Sequence, residues 1–171
     1  MTPLTSADLE RLALRYVERY ATTRGRLADY LRRKVRERGW GGEAAADPVA
    51  LAEKLSGLGY IDDRAFAEAR ASAMGRRGLG ARRINHTLRY DGIDAEDAEA
   101  IAPVIEADVT ASALAFARRK RIGPWAREAA ERPLLEKHVA AMVRAGHAPS
   151  LAWKIARMAP GEDAEALLSN N

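Results

Sequence analysis

The chain has 171 residues, with 28 Lys+Arg against 24 Asp+Glu, three His and no Cys, a length suited to one or two small domains or a short array of helical repeats. Without cysteine there is no disulfide scaffold, no Cys-ligated zinc, no iron–sulfur cluster and no thiol catalysis. Apolar residues, at 47%, are ample for a core, yet the longest apolar run, Ala100–Ile105, is far short of the roughly 20 residues that cross a bilayer.

The first predicted helix starts at Thr5 or Ser6 and carries Leu9, Leu12, Tyr16, Val17 and Tyr20. A second bears Leu27, Leu31 and Val35 at helical spacing and stops at Gly39, where a left-handed cap needs a residue without Cβ. After an irregular insert at Gly41–Ala46, Asp47-Pro48 offers an N-cap with proline at the first helical position, followed by Leu51, Leu55 and Leu58. Asp62 or Asp63 starts the next helix, with Phe66, Ala69 and Ala73, and Gly78-Leu79-Gly80 links it to one carrying Ile84 and Leu88 and ending at Gly92. Asp94 caps a helix with Ala98, Ile101 and Ile105, which Pro103 is expected to shorten or bend. A further helix begins near Asp108 with Val109, Ala113 and Phe116. Arg121–Trp125 forms a second insert, another helix ends at Gly146, and Ser150 precedes the last, with Leu151, Ile155 and Met158.

Gly39, Gly92 and Gly146 are 53 and 54 residues apart, and each is followed by a residue able to fold back on the last turn, namely Trp40, Ile93 or His147. The chain therefore reads as all-α: three tandem three-helix repeats, about nine helices, stacked into an elongated array with room to curve. The repeats span residues 5–60, 61–107 and 108–158, and residues 159–171 make a loose acidic tail. The N-terminal residues carry acids and no continuous apolar core, so the expectation is a cytoplasmic protein without a secretory signal, away from membranes.

Catalytic chemistry finds little support. His86, His138 and His147 lack metal-ligand spacing; His138 reads as a satisfied packing residue and His147 as a cap. No phosphate-binding Gly-rich loop with Lys-Ser/Thr occurs, and none of the six serines sits in a nucleophile elbow. Asp62 and Asp63 could hold a divalent ion, although capping suits their place before a helix better. The expectation is a non-enzyme without cofactor, acting as a monomer.

Charge is blocked along the chain. Residues 11–38 hold ten bases and three acids, residues 64–90 seven bases and one acid, and residues 118–157 ten bases and three acids. Residues 94–108 interrupt them with six acids and no base. With Leu31 at zero, Arg33 and Arg36 fall at about 200° and about 140° around the helix, opposite the buried stripe, with Arg26 nearby. Arg82 and Arg89 take the same outward positions relative to Ile84. Arg76 and Arg77 add to the second block, and Arg118, Arg119 and Lys120 to the third. These ten residues are the candidate contacts for a partner or for DNA, because an outward guanidinium fork recognises phosphate and carboxylate bidentately. Aromatics at 6% are sparse, which argues against a stacking platform for single strands.

At 57–67 the sequence reads GLGYIDDRAFA, in which Gly59, Tyr60, Ile61, Asp62, Asp63, Phe66 and Ala67 form a pattern, and at 75–93 GRRGLGARRINHTLRYDGI supplies Gly78, Ile84, Leu88, Gly92 and Ile93. These segments resemble the RecX family of bacterial recombinase regulators, over roughly residues 10–158. Departures cluster in the third repeat, with His147 where an aromatic is usual and Gly123-Pro124-Trp125 before the second helix. The resemblance implies three tandem three-helix repeats and a protein that binds RecA recombinase and its filament, restraining strand exchange, ATPase and co-protease activities in recombination, DNA repair and the SOS response. It also implies basic blocks facing acidic recombinase surfaces or bound single- or double-stranded DNA, and an acidic stretch at 94–108 facing basic recombinase loops. Two other readings stay open, an autonomous phosphate-contacting DNA-binding protein and a general helical-repeat adaptor.

Overall fold

Short polar side chains start the helices. In the computed structural model, which describes residues 2–169, Thr5 accepts from the Asp8 backbone N–H while Asp8 accepts from the Thr5 N–H, a capping box that opens α1 (Ser6–Arg19). Hydrogen bonds from the Thr5 hydroxyl and then the Thr5 backbone N–H hold the Asp8 carboxyl down at about 2. Thr23 caps α2 (Arg24–Arg38), and Asp47 with Pro48 opens α3 (Pro48–Gly57). Asp62 accepts from the Ala65 N–H ahead of α4 (Asp63–Arg76), and Asp94 from the Asp97 N–H ahead of α6 (Ala95–Ala107). Between them lies α5 (Ala81–Tyr90), and beyond them α7 (Val109–Lys120), α8 (Arg132–Arg144) and α9 (Pro149–Ala156). Nine α-helices, 3₁₀ turns at Gly123–Trp125 and Glu165–Leu167, and one isolated parallel bridge, Leu4 to Trp40, make up the regular structure of the described residues. No single helix among them is long and apolar enough to cross a membrane.

Two compact units result. The first takes the chain up to Ala67 together with Arg89–Glu99, and the second takes Glu68–Leu88 together with the chain from Ala100 onward, so the boundaries fall inside α4, α5 and α6. In the first unit the stripe predicted for α2 is real. Leu27 and Leu31 are fully buried with Leu4, Ala13, Ala52, Leu55 and Ile61. Each such leucine contributes about 1.5–3 kcal/mol of transfer free energy. Trp40 packs against this core after Gly39 (φ 82°) and donates its indole N–H to the Ala44 carbonyl at 2.6 Å. In the second unit Ala113, Phe116 and Ala117 of α7 meet Ile122, Val139, Met142, Ala152 and Ile155.

Both units contain the same backbone-on-backbone joint. At the start of α2, Gly25 lies against Gly92, and the Thr23 hydroxyl donates to the Asp91 carbonyl. At the start of α5, Gly80 lies against Gly146, with the Gly80 N–H donating to Ala145 at 2.9 Å and the Arg82 N–H to Gly146 at 3.2 Å. The first turn of one helix thus docks on the glycine turn that ends another.

Four local expectations differ from the fold. α6 is not shortened at Pro103 but runs through it to Ala107, with Ile101 and Ile105, on either side of the proline, both buried. α9 begins at Pro149, so Ser150 lies inside it and Ala148 occupies the cap. Leu58 lies beyond the end of α3 and is exposed. Residues 159–169 are not loose: Ala164 is buried, Leu167 packs on the second core, and the Gly161 N–H donates to Pro124 at 2.8 Å. The last two residues of the expected tail, 170 and 171, lie outside the described residues.

Candidate functional site

All ten basic candidates are exposed. In the first unit Arg26, Arg33 and Arg36 occupy the outer side of α2, and Arg89 the end of α5. Arg26 reaches toward the buried Asp91 at 3.9 Å, and Arg33 pairs with Glu37 at 3.7 Å. Arg36 and Arg89 form no ion pair among the described residues, so their forks are open to a partner. In the second unit the structure brings two helix ends together: Arg119 of α7 donates to the Arg77 carbonyl just beyond α4. Arg76, Arg77, Arg118, Arg119 and Lys120 thereby gather around one turn, where the C-terminal carbonyls of both helices favour positive charge. Arg82 stands apart from them on the first turn of α5.

Three of the six acids of the 94–108 stretch are engaged inside the first unit. Arg24, at the start of α2, gives Nε to Asp63 at 3.1 Å, one terminal nitrogen to Glu53 at 3.0 Å, and the other to Asp94 at 2.9 Å and Asp97 at 3.1 Å. Asp63, nearly buried, also accepts from the Arg24 backbone N–H at 3.0 Å. Arg64 joins through Asp97 at 2.8 Å and Glu96 at 3.5 Å. Burial alone would lower the Arg24 pKa, but its hydrogen bonds to Asp63 and then Glu53 hold it above the ordinary arginine value. The Asp97 backbone N–H, together with Arg24, holds Asp94 below the ordinary carboxylate value of 3.8. An open hollow of about 450 Å³ beside this network is lined by these groups, Asp62 and the 59–61 turn. Asp62 caps as expected, whereas Asp63 is a partner of Arg24. Asp94, Glu96 and Asp97, read from sequence as able to face a partner, already hold arginines of their own chain.

His147 also exceeds its expected role. Its backbone N–H closes the last turn of α8 on Met142 at 3.1 Å, while its ring is buried and its Nε2 lies 2.8 Å from the Gly78 carbonyl, 5.7 Å centroid to centroid from Phe116. His138 is half-buried with Nδ1 lacking a partner among the described residues, not the satisfied residue expected. Desolvation pushes both imidazoles below 6.5, the Gly78 bond only partly opposing it for His147. The folded chain then binds fewer protons than the unfolded one below 6.5. Stability is therefore full above that value and falls as the solution is acidified through it. Thermal melts between about pH 7.5 and about pH 5.5 should show the second unit weakening, and His147→Asn should flatten that slope.

One basic cluster, of which the sequence singles out only Arg33, surrounds three tyrosines. Tyr16, Tyr20 and Tyr30 meet at the open end of α1 and α2 with Arg15, Arg19, Arg33 and Lys34 around them. Tyr20, Tyr60 and Tyr90 are exposed, at 49%, 52% and 86%, although the sparseness of aromatics argues against a stacking platform.

Comparison with known proteins follows the same segments. A family model described as RecX, second three-helix domain, matches residues 62–100, the stretch from the cap of α4 into α6. Over 158 residues the chain is 35% identical to the regulatory protein RecX of Myxococcus xanthus (strain DK1622), spanning 86% of this chain and 83% of that protein. It is 28% identical over 162 residues to the regulatory protein RecX of Agrobacterium fabrum (strain C58), spanning 92% and 86%. A crystal structure of regulatory protein RecX superposes with a TM-score of 0.60 at 23% identity, covering 88% of this chain and 74% of that one, and shares its fold.

Proposed function

Because this chain belongs to the RecX family of regulatory proteins, we propose that it binds RecA recombinase and its nucleoprotein filament and restrains recombinase, ATPase and co-protease activities. The observation that carries this reading is identity of 35% sustained over 158 residues with a regulatory protein RecX. Its setting is recombination, DNA repair and the SOS response. The protein acts as a ligand rather than an enzyme: it favours an inactive or disassembling filament over an active one by binding it better. Shifting such an equilibrium from 1:99 to 99:1 takes about 5.5 kcal/mol of differential affinity, which several modest contacts can supply. Arg33, Arg36, Arg82 and Arg89 are exposed and point away from the cores, so their forks supply these contacts to carboxylates or phosphates.

Strand exchange and ATP turnover by RecA should fall when this protein is added in stoichiometric amount. Replacing Arg33, Arg36, Arg82 and Arg89 together with Gln should relieve most of that inhibition and flatten its salt dependence, since exposed charges chiefly set encounter rate. No effect of the wild-type chain on either activity would sink the proposal. Inhibition that survives the fourfold substitution unchanged would move the contact surface elsewhere.

A further inference from the structure

We propose that the tyrosine hollow between α1 and α2 is a binding site for single-stranded nucleic acid, in which an unpaired base stacks on Tyr20 and neighbouring phosphates are held by Arg15, Arg19, Arg33 and Lys34. The helical repeat of α1 sets this up. Tyr16 and Tyr20 lie one turn apart, as do Arg15 and Arg19, so an aromatic stripe and a cationic stripe run side by side. Tyr30 of α2 completes the floor, with its ring stacked on Tyr16 at 4.4 Å between centroids and 28° between planes. Tyr20 tilts against Tyr16 at 5.1 Å.

The roles of the three rings differ. Tyr16 and Tyr30 lean on the first core. Tyr20 does not, and 49% of its surface remains exposed. It stands where the backbone of α1 has already turned extended, held by its N–H on the Tyr16 carbonyl at 2.9 Å. Packing of the unit does not account for a phenol ring held half in solvent, supported from behind by a second ring.

Cations rim the same space. The Arg19 guanidinium lies 5.5 Å from the Tyr20 ring centroid, and Arg33 and Lys34 lie 5.6 and 5.8 Å from that of Tyr30. No carboxylate lines the hollow, although Glu37 pairs with Lys34 at 2.9 Å and with Arg33 at 3.7 Å. Arg15 and Arg19 form no ion pair among the described residues, so the four cations exceed their one carboxylate and a bound anion relieves the excess. The volume, about 410 Å³, falls within the range of about 300–1,000 Å³ typical of small-ligand sites and suits a nucleotide unit.

Both halves of the site are needed to choose the ligand. Guanidinium forks take phosphate oxygens in pairs. A π-face accepts any base, but only one whose own face is free, which excludes an intact duplex. An acidic peptide would satisfy the cations and leave Tyr20 unused.

The test needs no recombinase, so its outcome is separate from that of the filament reading. A short fluorescein-labelled oligothymidylate is titrated with the full chain across a salt series and followed by anisotropy. Tyr20→Ala should weaken binding about 5- to 100-fold, the usual worth of one stacked base, and Tyr20→Trp should restore it. Arg19→Gln should reduce the slope of log affinity against log salt by about 0.7. Duplex binding should change less than about twofold in either variant, and unchanged circular dichroism will show that both fold. A 5-iodouracil strand should crosslink to the peptide holding Tyr20. The proposal is overturned by Tyr20→Ala binding like wild type, by an abasic strand binding as tightly as the intact one, or by polyglutamate displacing the strand on equal terms.

Discussion

Replacing Arg24 with Met is expected to destabilise the first unit by about 3–5 kcal/mol, the range seen when one partner of a buried ion pair is removed. Most of that loss belongs to Asp63. Its side chain is 4% exposed and accepts both Nε and the backbone N–H of Arg24, so truncation leaves a desolvated carboxylate with only a backbone donor. Glu53 and Asp94 add little, since 56% and 49% of their side chains remain in water and solvent screens them. Arg24→Lys should recover only a minor part. The guanidinium spreads three nitrogens over four carboxylates, whereas one ammonium cannot reach them all.

Chemical denaturation followed by tryptophan fluorescence measures the loss, because Trp40 packs against the first core. A double variant, Arg24→Met with Asp63→Leu, should regain part of the stability by removing the orphaned charge. Equal losses in the single and double variants would show that the arginine acts through packing alone. The contribution also has a definite acid limb. Asp94, held below its ordinary 3.8, lends stability above that value and loses it only as pH falls further.

Helix ends were readable because their chemistry is local. Thr5 with Asp8, Asp47 with Pro48, and Asp94 with Asp97 each lie within three residues, inside the reach of one turn. The Arg24 network is the opposite case. Its partners lie 29, 39, 70 and 73 residues away, so no spacing along the chain connects them, and the acids looked like a free surface stretch. That α6 is not shortened at Pro103 has a related reason: the intrinsic penalty of a proline is local, whereas the burial of Ile101 and Ile105 that offsets it is tertiary. Tyr16 and Tyr20 carried a usable signal. At helical spacing they read as core stripe, but the matching spacing of Arg15 and Arg19 beside them was a clue to a surface feature. What the sequence could not supply was the end of α1, which leaves Tyr20 in solvent.

The joint between Gly80 and Gly146 carries the other large expected effect. A Cβ on Gly80 would lie 2.3 Å from the Gly146 carbonyl carbon, and one on Gly146 would lie 2.5 Å from the Arg83 nitrogen. Both obstacles are backbone, one in the turn that ends α8 and one in the first turn of α5, so neither can swing aside as a side chain would. Overpacking of this kind costs about 1–3 kcal/mol, which is the loss expected for Gly80→Ala. Gly146→Ala should lose about 1–3 kcal/mol more, because Gly146 also has a φ of 101°, where an L side chain is strained. Gly75 provides the contrast in the same unit: it lies inside α4 with open space where a Cβ would stand. Gly75→Ala should therefore gain about 0.5–1 kcal/mol. The two joint variants should also be non-additive, since once one methyl has forced the backbones apart the second meets less resistance. Denaturant midpoints of the three single variants and the Gly80→Ala, Gly146→Ala pair decide the matter. Losses at Gly80 no larger than the change at Gly75 would mean that the two helices are not held at the close approach seen here, and that the turn after α8 is free to move away from the start of α5.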